Sequence, residues 1–228
     1  MYKLHLLVPI SAHGFLDFLF FNDEFKLPLY IFIIIFFNKI CLKLFKDFSV
    51  IFFLLMSMYH FSRDFAYLNN GQYELSNYCM GGLVITSTLF SEKYIQWNVI
   101  LNLLTSSSNS TRKIIKFLQI LDIFFSTVLI FNIFRYRRFV EAYYMCLYAI
   151  VFKKSEPLDI IIYYLGYIHV PLNVYKIYTL YPKETNAWFS IGVFCSFVFC
   201  LFINKEINIR LVNLGISVTV AHMILHSF

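Results

Sequence analysis

Charge is scarce in this chain: only 14% of its 228 residues are Asp, Glu, Lys or Arg, where soluble globular domains carry about a quarter. So few charges cannot cover a water-exposed surface, and a soluble fold has no use for a chain that is 60% hydrophobic and 21% aromatic. Glycine (7) and proline (5) are also sparse, and no Pro/Gly/Ser-rich linker, low-complexity tail or long polar insert breaks the chain. That excludes a beads-on-a-string organisation and leaves residues 1–228 as a single integral membrane domain. The five cysteines, Cys41, Cys79, Cys146, Cys195 and Cys200, show no CxxC spacing and lie mostly in apolar stretches. There a free thiol behaves as a small hydrophobe, so neither a zinc knuckle nor a disulfide framework is implied.

What is present is a succession of long apolar runs. A helix needs about 20 apolar residues to cross a hydrocarbon core of roughly 30 Å. Windows near 6–22, 28–44, 48–66, 114–134, 138–152, 157–180, 187–204 and 207–227 fit that length. Shorter pieces at 79–90 and 94–104, separated by Glu92 and Lys93, suit half-helices or a re-entrant hairpin. Backbone groups in lipid must be satisfied within a helix or a closed barrel, and these runs are continuous rather than alternating. The expected fold is therefore an all-α polytopic transmembrane helix bundle of seven to ten spans or half-spans, placed in the cell membrane with the lipid bilayer as its solvent. The first apolar stretch contains His13 and Asp17 and lacks a basic n-region with a small-residue cleavage site, so it is expected to be retained.

The formal net charge of +6 is concentrated at span ends: Lys39, Lys43 and Lys46; Arg112, Lys113 and Lys116; Arg135, Arg137 and Arg138; Lys153 and Lys154. This is the pattern of topogenic charge rather than of nucleic-acid binding. Two of the clusters bracket the same helix, so the charge rule leaves orientation open. The 28 Phe and 17 Tyr fit either an aromatic tunnel for a hydrophobic ligand or an AT-rich coding bias.

Ionisable groups inside spans carry more information, because hydrocarbon makes them costly and they face a bundle interior, a cavity or a metal. His13, His60, His169 and His222 each fall on a different expected helix, and bundles build metal sites from such facing side chains. Asp17 follows His13, and Asp64 follows His60, by one helical turn, a spacing that shares a helix face. A carboxylate beside an imidazole fixes the tautomer of a metal ligand. It equally serves as an interhelical hydrogen bond. An ion- or proton-translocating protein and a haem-binding cytochrome remain alternatives at this point.

Five motifs, spread in order over nearly the whole chain, resemble the Brp/Blh family of membrane-bound β-carotene 15,15'-dioxygenases. They are SAHGFLD at 11–17; YHFSRD at 59–64, with Ser62 where the family has glycine; MGGLVITSTLFSE at 80–92; YYLGYIHVPLN at 163–173, with Asn173 where the family has a second histidine; and AHMIL at 221–225, with alanine where the family often has proline. The resemblance implies an iron-dependent oxidoreductase that cleaves β-carotene at its central double bond with dioxygen, giving two retinal for a rhodopsin. It implies Fe(II) held by His13, His60 and His169, with His222 as the fourth ligand, and with Asp17, Asp64 and Asn173 around them. Three histidines completed by Asn173 or water, and a family member that has lost its chemistry, are the other readings. Gly14, beside His13, leaves room for the polyene or a close helix.

Overall fold

The computed structural model describes residues 9–10, 12–14, 16–17, 25–72, 74–86, 101–137, 142–146, 157–202 and 209–225. Among them no strand occurs. Helical backbone at 9–10, 12–14 and 16–17 is followed by α1 (Lys26–Phe36), a π-helical segment Phe37–Cys41, α2 (Leu42–Leu44), α3 (Lys46–Leu68), α4 (Glu74–Thr86) and α5 (Ser108–Tyr136). After these come α6 (Pro157–Tyr164), a second π segment Leu165–His169, α7 (Val170–Leu180), α8 (Pro182–Phe202) and α9 (Ile209–Leu225). The expected span at 138–152 lies largely outside the described residues, as do most of 94–104 and parts of 6–22.

Two of these helices are long and apolar enough to cross a membrane: Lys26–Leu44, of 19 residues, and Ser108–Tyr136, of 29. At 1.5 Å per residue they reach about 28 and 43 Å, against a hydrocarbon core of roughly 30 Å. Both carry large apolar side chains on the outside, among them Phe32, Ile35, Ile120 and Phe134. Helix α4 has 13 residues, about 20 Å, and matches the half-helix expected at 79–90.

Contacts divide the chain into two compact units, Met1–Lys39 with Ile162–Phe228, and Ile40–Ile161. In the second, α3, α4 and α5 pack in sequence order. Helix α3 ends in a Schellman turn: the Gly71 N–H donates to the Ala66 carbonyl at 2.7 Å and that of Asn70 to Tyr67 at 3.2 Å. Asn70 and Gly71 both take positive φ, 52° and 74°, which closes the α3–α4 hairpin. Asn77 then bonds back to Asn69 and to the Gln72 carbonyl.

Close approach of the helices requires glycine. A Cβ on Gly81 would overlap the Ser62 backbone nitrogen and sit 2.8 Å from the Met58 carbonyl oxygen; one on Gly82 would overlap the buried Phe125 ring. Polar bonds pin the α4–α5 register: Asn132 donates to Ser76 at 2.7 Å, and Thr86 to Asp122 at 2.6 Å. The second bond lies ten residues on along α4 and ten residues back along α5, as an antiparallel pair demands. Asp122, fully buried, is a mid-helix carboxylate that the sequence reading passed over, although a lone charge in an apolar run is itself a signal.

At the start of α5, Ser107 caps the helix by accepting from the Ser110 N–H. Asp47, in the first turn of α3, accepts from the Ser106 N–H at 2.7 Å and from the Ser106 and Ser110 hydroxyls at 2.6 Å. Partial burial raises the Asp47 carboxyl, but these bonds and the neighbouring Lys46 outweigh it and hold the group below the usual carboxylate range.

In the first unit, α1 packs on α9, and α7 on α8. Leu16 and Ile177 form a buried pair against which Val174, Trp188 and Phe189 pack, joining the N-terminal helical stretch to α7 and α8.

Gly81→Ala is expected to destabilise the protein by about 1–3 kcal/mol, because the new methyl meets backbone that cannot rotate away; thermal unfolding in detergent checks it. Asp47 has a lower pKa folded than unfolded, so its contribution is present above about pH 4, the unfolded value, and is lost as pH falls further, through the folded value below it. The melting difference between wild type and Asp47→Asn is therefore expected to shrink on acidification below about pH 4; a difference that grew instead would reverse the sign argued here.

Candidate metal centre

Three of the four sequence-predicted histidines come together. His13 lies in the N-terminal helical stretch, His169 closes the second π segment, and His222 sits on α9; one nitrogen from each lies within 4.8 Å of the other two. The His13 ring meets those of His169 and His222 edge-on, with centroids 5.2 and 5.1 Å apart. His169 and His222 are buried, with 2% and 8% of their surfaces exposed. His60 and Asp64, both buried on α3, belong to the other unit.

Local structure explains the placement of each group. Pro171 has no N–H to offer the carbonyl one turn back, and its ring crowds that carbonyl; a π segment ending two residues earlier, at His169, relieves both. Around Asp17 the backbone winds as 3₁₀ at Gly14, Leu16 and Asp17, about three residues per turn, so positions four apart no longer align. The expectation that Asp17 serves His13 is corrected accordingly. Asp17 instead receives Nδ1 of His222, 205 residues away, at 2.7 and 2.9 Å, and Tyr30 approaches the same carboxylate with its hydroxyl at 3.5 Å. Nothing in the sequence marks Tyr30 among 17 tyrosines. The Nδ1–H of His13 donates to the Ile10 carbonyl at 2.8 Å. Asn173, one turn after His169, directs Nδ2 to His169 Nδ1 at 3.2 Å and to the His169 carbonyl at 2.9 Å. At Gly14 a Cβ would meet nothing within 4 Å.

The donor set suits a divalent ion. With Nδ1 of His13 and His222 each engaged by an oxygen, Nε2 is the nitrogen left to each ring for a metal, the arrangement that outer partners impose on metal-bound histidines. His13 Nε2 is buried without a hydrogen-bond partner, a costly position that a metal would relieve. Two nitrogens each about 2.1 Å from one ion are at most about 4.2 Å apart. Three such nitrogens around one ion lie about 3.4–3.6 Å apart, so side-chain shifts on the order of one ångström close the cluster.

Comparison of the chain with protein-family models, with curated proteins and with solved structures finds no match.

Asp17→Ala is expected to weaken divalent-ion binding about 10–100-fold by removing the partner of His222. Titration of the purified protein with Co(II) measures this; affinity within twofold of wild type would show that Asp17 does not orient the ligand.

Proposed function

We propose that this protein is a polytopic membrane oxygenase of the kind its motifs resemble, cleaving β-carotene at the central double bond with dioxygen to give two retinal that supply a rhodopsin. The observation that carries the reading is the convergence of His13, His169 and His222 from opposite ends of the chain, with His13 Nε2 buried and lacking a hydrogen-bond partner. The two span-length helices and their exposed apolar side chains support a multi-pass placement in the cell membrane.

His13, His169 and His222 hold the ion. When bound, Fe(II) supplies a redox-capable centre with open positions for dioxygen, for which neutral imidazoles are suitable ligands. Asp17 keeps the proton of His222 on Nδ1 and the ring fixed. The Ile10 carbonyl does the same for His13. The substrate has no polar handle, so recognition comes from burying its apolar surface, at about 25 cal/mol per Å². Leu16 and Val174, next to Asp17 and Asn173 in the chain, pack with Ile177, Trp188 and Phe189, apolar side chains of the kind such recognition uses. No general base or nucleophile is required of the protein.

Expression in a β-carotene-accumulating bacterium is expected to bleach the cells and yield retinal by chromatography. His13→Ala, His169→Ala and His222→Ala are each expected to abolish that product while the protein still inserts in the membrane. Unchanged β-carotene with well-inserted wild-type protein and iron supplied would overturn the proposed substrate.

A further inference from the structure

The three clustered histidines are not held alike. An oxygen on Nδ1 of His13 and of His222 draws the imidazole proton there and leaves the Nε2 lone pair for a metal. His169 meets an amide instead. The Asn173 atom 3.2 Å from its Nδ1 is the NH₂ nitrogen, which also donates to the His169 carbonyl at 2.9 Å. An NH₂ group only donates, so Nδ1 of His169 accepts in this arrangement and the ring proton moves to Nε2, the opposite tautomer from its two neighbours. A half-turn of the amide places Oδ1 at the same point. There it accepts from Nδ1–H and exposes the Nε2 lone pair, and the bond to the His169 carbonyl is given up.

We infer that Asn173 is a positioning residue for His169: the way its amide faces decides whether His169 offers the cluster a lone pair or an N–H. This rests on the reading of the cluster as a metal centre, and it gives Asn173 a role distinct from ligation. The neighbouring geometry supports it. Asn173 stands one turn beyond His169, in the first turn of α7 after the π segment, so its amide reaches both the ring and the carbonyl of the same residue. Metal binding at His169 Nε2 therefore costs an amide reversal, a cost absent at His13 and His222.

Two substitutions separate this role from simple packing. Asn173→Asp can only accept at Nδ1 and is expected to tighten Co(II) binding by about tenfold; Asn173→Leu keeps the bulk, holds neither tautomer and is expected to weaken it by about tenfold, within the range typical of metal-site outer partners. The measurement is Co(II) titration of the full chain purified in detergent, followed by its visible d–d bands, with thermal unfolding to confirm that each variant is folded. Opposite signs for Asp and Leu establish the role. Equal weakening by both, or no change in either, overturns it while leaving the metal centre intact, provided that wild type binds Co(II) and His13→Ala does not. Absence of Co(II) binding by wild type would overturn the metal centre itself and this inference with it.

Discussion

The contact between Asp17 and His222 is the constraint on which the first unit depends. It joins residues 205 positions apart through two short approaches, 2.7 and 2.9 Å, with the carboxylate only 2% exposed. A carboxylate withdrawn from water is costly unless it is paired, so the N-terminal stretch and α9 must come together. That closure carries His13, one turn before Asp17, to the ring of His222. His169 completes the group because the π segment ahead of Pro171 sets its position. Removing one partner alone would leave the other buried and uncompensated, which is worse than lacking both.

The second unit rests on a different physical basis. Its helices associate through close backbone approach and interhelical hydrogen bonds. Gly81 and Gly82 remove the side-chain bulk that would hold α3 and α5 away from α4. Ser76 with Asn132, and Thr86 with Asp122, then lock the register. Asp122 is best understood in these terms, as half of an interhelical bond within this unit. Asp47, on the polar loop side, performs a similar service by gathering the serines at the start of α5.

The cluster differs from a buried packing network in one respect. Packing histidines normally satisfy both nitrogens, as buried polar groups generally do, whereas His13 satisfies Nδ1 and leaves Nε2 buried without a partner. Oxygens engage Nδ1 of two of the three rings, and the Asn173 amide meets Nδ1 of the third. That asymmetry follows from one residue: where the resembling family has histidine, this chain has an amide able to act as donor or acceptor.

The sequence by itself determined the helical class, because its apolar runs are continuous rather than alternating and long enough for helices. Of the expected spans, 28–44 and 114–134 coincide with Lys26–Leu44 and Ser108–Tyr136, the two helices long and apolar enough to cross a membrane, since length and apolar content are local properties of the sequence. His13, His169 and His222 were legible as candidates for the same reason: an ionisable group in an apolar run stands out wherever the chain later takes it. Their partners were not legible. The i to i+4 rule assigned Asp17 to His13, but local 3₁₀ winding and the return of α9 gave the carboxylate to His222. Asn173 likewise showed only its identity, and its position against His169 followed from the π turn before Pro171. Periodicity along one helix cannot report a contact 205 residues away; only the tertiary structure decides which buried polar groups meet, because each must find its partner on whichever helix packing brings within reach.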